Sequence, residues 1–175
     1  MTARPRALFV MRHGKSDWDS DAVTDLDRPL ARRGRRDCRT MASWCAQVGL
    51  LPDVLLSSPA ERAADTARRL GRGLGLDDDD VTLDERLYMA ELPELLAVLA
   101  GVRSDASQVV LVGHNPGLDA LVAHLHGRKP PAGVSGKVMT TAAVAHFRMP
   151  ADWSSLRRGA GKLVEVVRPK ELPAF

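Results

Sequence analysis

Ala7-Leu8-Phe9-Val10-Met11-Arg12-His13-Gly14 is the stretch whose reading decides the fold. Five apolar residues in a row, without polar alternation, describe a strand buried on both faces, as found inside a largely parallel sheet covered by helices. The run breaks at Arg12-His13-Gly14. Ligands of open α/β sheets bind beyond the carboxyl ends of the strands, so two basic side chains at this break are placed where chemistry is expected.

Reading outward, the same layout recurs. Asp17 to Arg28 is polar and acidic. Pro29 then opens a helical stretch in which Cys38, Met41, Ala42, Cys45 and Val48 follow a helical repeat, and Gly49 closes it. Val54-Leu55-Leu56 reads as a second strand ending at Ser57-Ser58-Pro59, followed by a helix from Ala60 to Leu70 that stops in the glycine-rich segment Gly71 to Gly75. Val81-Thr82-Leu83 is a third strand and Pro93 to Ala100 a helix. Val109 to Val112 is a fourth strand ending at Gly113-His114-Asn115-Pro116-Gly117, before a helix through Leu125. Gly127 to Lys137 reads as a long loop, and Ala142 to Phe147 and Leu163 to Val167 as two final strands. This order predicts an α/β, three-layer sandwich: a mostly parallel central sheet with an antiparallel edge strand and helices on both faces. One domain over residues 1–175 is expected from the length.

Composition narrows the function. The chain has 175 residues, of which 45% are hydrophobic, with a net charge of +3. Aromatic residues make up only 4%, too few for base stacking, and no nucleic-acid-binding motif is present, so clustered arginines near an anionic substrate explain the basic excess. No apolar run is long enough to span a bilayer, and the start lacks the apolar region of a secretory signal. A cytoplasmic protein is expected, without membrane or nucleic-acid partners. Cys38 and Cys45, seven residues apart on one helix, are separated by about 10 Å of rise and cannot pair. Both read as core fillers.

Three strand ends present, in order, Arg12-His13, Ser57-Ser58-Pro59 with Arg62 in the next helix, and Gly113-His114. If those strands are parallel neighbours, two histidines and two arginines converge on one sheet edge. That set suits phosphoryl transfer, which asks for positioning and for neutralisation of three equatorial oxygens. A neutral imidazole can be the nucleophile, and nearby guanidinium charge should depress the pKa of His13 and keep it unprotonated.

These residues resemble the histidine phosphatase superfamily, also called phosphoglycerate-mutase-like. Its RHG signature is met by Arg12-His13-Gly14, its SSPxxRAxxTA segment by Ser57 to Ala67, and its GHNPG segment by Gly113 to Gly117. Within it the chain is most similar to the small phosphohistidine phosphatase group, through Arg28-Pro29-Leu30, Leu87-Tyr88 and Arg168-Pro169-Lys170. The resemblance implies that His13 is the nucleophile and that Arg12, Arg62 and His114 bind phosphate. Lys15, Ser16 and Asn115 are candidate substrate-binding residues, and no metal or cofactor is implied. One departure stands out. Larger members place a glutamate acid after the third strand, where this sequence has Met89; Glu85, Glu91 and Asp17 lie nearby without matching it. A phosphohistidine, whose imidazole leaves without a strong acid, fits this gap better than an ester. The absence of an extended insertion predicts a shallow, open site suited to a phosphorylated protein. The competing readings are a phosphatase of a small phosphate ester (sugar, nucleotide or cofactor precursor) and a phosphate-binding module without catalysis.

Several other features are read as structural. Asp17, Asp19, Asp21 and Asp25 fall at calcium-loop spacing, but Ala22 and Arg28 occupy the positions that need Gly and Glu, leaving a solvated loop. Asp77 to Asp80 reads as a solvated turn, His124 and His126 as C-terminal caps of a helix, and Gly71, Gly73 and Gly75 as a helix end.

Overall fold

The computed structural model describes residues 4–173. Its strands are β1 (Ala7–Arg12), β2 (Val54–Ser57), β3 (Val81–Leu83), β4 (Gln108–Gly113), β5 (Val144–Arg148) and β6 (Lys162–Val167). The helices are α1 (Arg32–Gln47), α2 (Glu61–Gly73), α3 (Leu92–Ala100) and α4 (Gly117–His126). The sheet order is β3-β2-β4-β1-β5-β6. β1, β2, β3 and β4 pair in parallel, while β5 runs antiparallel to both β1 and β6. The antiparallel pairing is thus confined to one end of a mostly parallel sheet.

Right-handed crossovers explain where the helices lie. From β1 the chain steps through α1 to β2 and through α2 to β3, always in one direction along the sheet, so both helices cover the same face. It then returns through α3 to β4, so α3 covers the other face, and α4, which leads to the reversed strand β5, packs on that face beside α3. The sequence records this division in β1: Ala7, Phe9 and Met11 pack with α1 and α2, whereas Leu8 and Val10 pack with α3 and α4. All five residues are at most 8% exposed. Burying each of the larger ones stabilises the fold by about 1.5–3 kcal/mol, and a charge at any of them would disrupt the sheet.

Some boundaries differ from the sequence reading. α1 begins at Arg32, because Pro29 and Leu30 are held in extended pairing with the segment after β1: Ser16 bridges Leu30, and Asp17 N–H donates to Pro29 O. Val48 is 41% exposed and lies past the helix end rather than in the core. α2 runs through Gly71 to Gly73, since a side chain at Gly73 would collide with the Ala42 methyl of α1. Gly73 serves helix packing, and Gly75, with φ 82°, follows the helix end. His124 does not cap its own helix. Its Nε2 bonds the Leu156 carbonyl, and α4 ends on left-handed Gly127. The Asp77–Asp80 carboxylates cap a short 3-10 turn. Cys38 and Cys45 are buried free thiols, and burial pushes their pKa values up to about 11 and 12. No helix among the described residues is long and apolar enough to cross a membrane.

Candidate active site

After β1 the chain turns to one face of the sheet and after β4 to the other. A crevice opens between adjacent strands that diverge in this way, at their carboxyl ends. Arg12 is in register with Gly113, and His13 N–H donates to Gly113 O, so His13 and His114 face each other at this opening with ring centroids 5.1 Å apart. The reversed strand β5 closes the other side: Arg12 N–H donates to Ala143 O, and Ala142 N–H reaches both Arg12 O and His13 O. That clamp holds Ala142 at φ 62°, a left-handed conformation uncommon for alanine.

The loop carrying His13 is fixed from below. Gly14 N–H donates to Thr66 Oγ1, whose hydroxyl donates on to Arg62 O, joining the loop to α2. A Cβ at Gly34 would strike the Lys15 carbonyl, so only glycine lets α1 approach this closely. His13 Nδ1 lies 2.7 Å from Gly14 O, and since a carbonyl only accepts, Nδ1 carries the proton. Nε2 is left with its lone pair. Burial, then the charges of Arg62, Arg12 and Arg28, lower the His13 pKa to about 4, so the ring is neutral at neutral pH.

His114 is neutral as well, its pKa lowered to about 3 by burial and by the neighbouring His13 and Arg62. Its Nε2 lies 2.7 Å from Ser58 Oγ at the end of β2, and its Nδ1 lies 3.5 Å from Arg62 Nη2. Because guanidinium nitrogens only donate, Nδ1 is the acceptor and Nε2–H donates to Ser58.

Arg62, 2% exposed, stands in the first turn of α2, with Nη1 donating to Asp25 O and Nη2 to Asp25 Oδ2. Its Nε is buried without a protein acceptor, and so is Arg12 Nε, while Arg12 Nη1 donates to Met139 O. Buried donors of this kind suit an anion with several acceptor oxygens.

Asp25 is the residue that sequence reasoning missed, having assigned it to a solvated loop. Its carboxylate takes hydrogen bonds from Tyr88 Oη at 2.6 Å, Arg28 Nη2 at 2.7 Å and Arg62 Nη2 at 2.9 Å. Those donors, Tyr88 first, hold its pKa well below the usual carboxylate range. The acidic loop docks on α2 through Glu61 N–H to Leu26 O, which brings Asp25 into place. Only the calcium-like spacing marked it in the sequence, and among the described residues no three His, Cys, Asp or Glu side chains form a metal-binding group. Arg28 also binds Ser16 Oγ and stacks at 3.7 Å over the ring of Trp18.

These residues line an open cleft of about 460 Å³ that also includes Lys15, Asn115 and Thr141. Lys15 is exposed at its edge. Ser16 is buried, and its hydroxyl is engaged by Arg28. Asn115 has both ends of its amide committed, to Met139 O and Asp119 N–H, so it braces the wall. Met89, at φ 48°, and Trp18 are 50% and 71% exposed at the rim. Asp17, Glu85 and Glu91 do not line the cleft, and Glu91 caps α3 instead.

The sequence model of the histidine phosphatase superfamily (branch 1) matches residues 8–90. Phosphohistidine phosphatase SixA of Escherichia coli is 31% identical over 140 residues, covering 79% of this chain and 82% of the relative. A chloroplastic protein of Arabidopsis thaliana is 29% identical over 134 residues; the match covers 72% of this chain but only 62% of that longer relative. The solved structure of the protein histidine phosphatase SixA complexed with tungstate is similar at a TM-score of 0.77 and 27% identity, over 95% of this chain and 99% of that one. Relatives, fold and the facing histidines of the β1–β4 crevice agree, and the chain belongs to the histidine phosphatase superfamily.

Proposed function

We propose that the chain removes phosphate from phosphohistidine in proteins, by way of a phosphohistidine formed on His13. His13 Nε2 attacks phosphorus in line, the bond from phosphorus to the substrate imidazole breaks, and that ring leaves with the electron pair. Water then attacks the phosphorylated His13, the phosphorus–Nε2 bond breaks, and phosphate departs as the water proton passes to solvent. Throughout, the Nδ1–H bond to Gly14 O holds the ring and stabilises the charge it gains. Arg12 and Arg62 neutralise and orient the equatorial oxygens, and neutral His114 joins them at the phosphate when its Nε2–H turns from Ser58 to an oxygen; the guanidinium charge lets the reaction proceed without a metal ion.

One observation carries the choice of substrate. Asp25 is the only carboxylate lining the cleft among the described residues, and its three donors keep it ionised, so it has no proton to give at neutral pH. An alkoxide leaving group needs such a proton, whereas the imidazole of a phosphohistidine protonated on its other nitrogen leaves neutral. The name of the E. coli relative supports the same substrate, and the tungstate complex shows an oxyanion bound by a protein of this fold. An open cleft with Trp18 and Met89 at its rim admits a side chain on a protein surface. We place the protein in the cytoplasm, where buried free thiols such as Cys38 and Cys45 persist.

The test is a trapped phosphoenzyme. Incubation with phosphohistidine should give an acid-labile, base-stable label without added metal, and His13→Ala should abolish both label and turnover. Undiminished turnover by His13→Ala refutes the mechanism. Phosphate esters turned over at least ~100-fold more efficiently than phosphohistidine would move the substrate to the ester class.

A further inference from the structure

Beside the catalytic cleft lies a larger groove of about 600 Å³ that shares Arg12, Lys15 and Thr141 with it. The topology puts it there. Because β5 is reversed, the loop entering it reaches the same sheet edge as His13, and because β6 reverses again, its carboxyl end returns to that edge two strands further on. The groove is therefore walled by the loop after β1, the long loop of residues 129–141 and the turn Pro169–Glu171 after β6.

Its charge is lopsided. Six cationic side chains line it against Asp37 and Glu171. The two carboxylates are spoken for: Asp37 pairs with Arg33 at 3.4 Å, and Glu171 with Arg168 at 3.1 Å. Arg168, 6% exposed, also donates to Val138 O and Pro131 O, which pins the long loop to the turn and fixes the wall. Lys15, Lys137 and Lys170 are exposed and, among the described residues, form no salt bridge.

We propose that this groove is the docking site for an acidic segment of the phosphorylated protein, whose carboxylates meet Lys15, Lys137 and Lys170 while the phosphohistidine enters the cleft. The inference rests on the phosphohistidine function above. Three ammonium groups on separate elements are point charges spread along a surface, and they match dispersed carboxylates. A second phosphate on a small substrate calls instead for converging guanidinium forks; that of Arg168 is occupied by Glu171, Val138 O and Pro131 O, and Arg33 is drawn toward Asp37 through its Nε. Among the described residues no aromatic side chain lines the groove for base stacking, which speaks against a nucleic acid.

Steady-state kinetics on three substrates tests it: free phosphohistidine, a phosphohistidine peptide with acidic flanks, and the same peptide with those acids replaced by amides. At about 50 mM salt the wild type should favour the acidic peptide ~10-fold or more in kcat/KM, and the preference should shrink as salt rises. The double variant Lys137→Glu/Lys170→Glu should abolish the preference while free phosphohistidine turnover stays within about twofold, and Lys137→Gln/Lys170→Gln should fall between. Equal turnover of the two peptides by the wild type overturns the docking site, as does a preference that survives both double variants. A variant that slows all three substrates alike also overturns it. A small bisphosphate ester that outcompetes the acidic peptide only in the wild type assigns the groove to a second phosphate; tighter binding of a single-stranded oligonucleotide assigns it to nucleic acid. Either result overturns the proposal. Wild-type enzyme inert toward all three phosphohistidine substrates refutes the function itself, and the docking site with it, which separates the two failures.

Discussion

Acidification from pH 7.5 to 5 should leave the proposed nucleophile, His13, almost intact. An unperturbed imidazole with a pKa near 6.5 would be only about 3% neutral at pH 5. With the His13 pKa lowered to about 4, chiefly by burial and then by Arg62, Arg12 and Arg28, about 90% of the rings remain neutral at that pH. The same shift has a stability consequence of opposite appearance. The folded pKa lies below the unfolded one, so the unfolded chain takes up the proton first, and stability is lost as pH falls from about 6.5 toward 4. For His13, which is 8% exposed, that amounts to about 2 kcal/mol by pH 5. Long-range proton–nitrogen NMR on the folded protein reads both quantities at the source. His13 should show Nδ1 protonated and Nε2 free, with a titration midpoint near 4. In single-turnover experiments, corrected for spontaneous hydrolysis of the substrate, the rate of label transfer to His13 should change by less than about twofold between pH 7 and 5. A midpoint above about 6, or a proton on Nε2, refutes the reading of His13 as a buried, preorganised nucleophile.

Other perturbations test the surroundings. Asp25→Asn leaves Arg62, Arg28 and Tyr88 without their shared carboxylate; kcat/KM should fall ~10-fold or more with His13 still able to take the label, and a change below twofold counts against the positioning role. Met89→Glu puts a carboxyl at the rim of the cleft, and esters should gain about tenfold or more in kcat relative to phosphohistidine; an unchanged ratio in the folded variant argues that proton supply does not select the substrate. Thr66→Val removes the acceptor of Gly14 N–H and one donor to Arg62 O, which should cost ~1–3 kcal/mol in denaturant unfolding.

The sheet was legible because its strands are written as unbroken apolar runs. Ala7 to Met11 and Val109 to Val112 carry no polar residue, and both prove to be central strands covered on two faces. His13 and His114 were legible for a related reason: each stands within two residues of the end of such a run, Arg62 follows β2 in the first turn of the next helix, and parallel pairing brings these strand ends together. Asp25 was not legible. It sits in a polar stretch without periodicity, and its place is set by the docking of that loop on α2 and by Tyr88, which lies 63 residues away in sequence. Ser16 and Asn115 were found as neighbours of the site, but sequence adjacency could not show that their polar atoms are spent on Arg28, Met139 and Asp119.

Asp25 also resolves an electrostatic problem in the cleft. Arg12, Arg28 and Arg62 all bear on His13, and every one of them makes its protonation harder. Such a concentration of positive charge repels itself and would splay apart without an anion. A carboxylate aimed at phosphorus would solve that and block the substrate. Asp25 instead reaches Arg62 and Arg28 from the side, with its loop anchored at Leu26, and leaves Arg62 Nε without a protein acceptor. The cationic field is held in place, with Arg62 Nε left unpaired by the protein. Its low pKa follows from the same three donors, so the arrangement that orients the arginines also keeps Asp25 from serving as the acid. Phosphate affinity is thereby obtained at the expense of proton donation, a trade that suits a leaving group able to depart neutral.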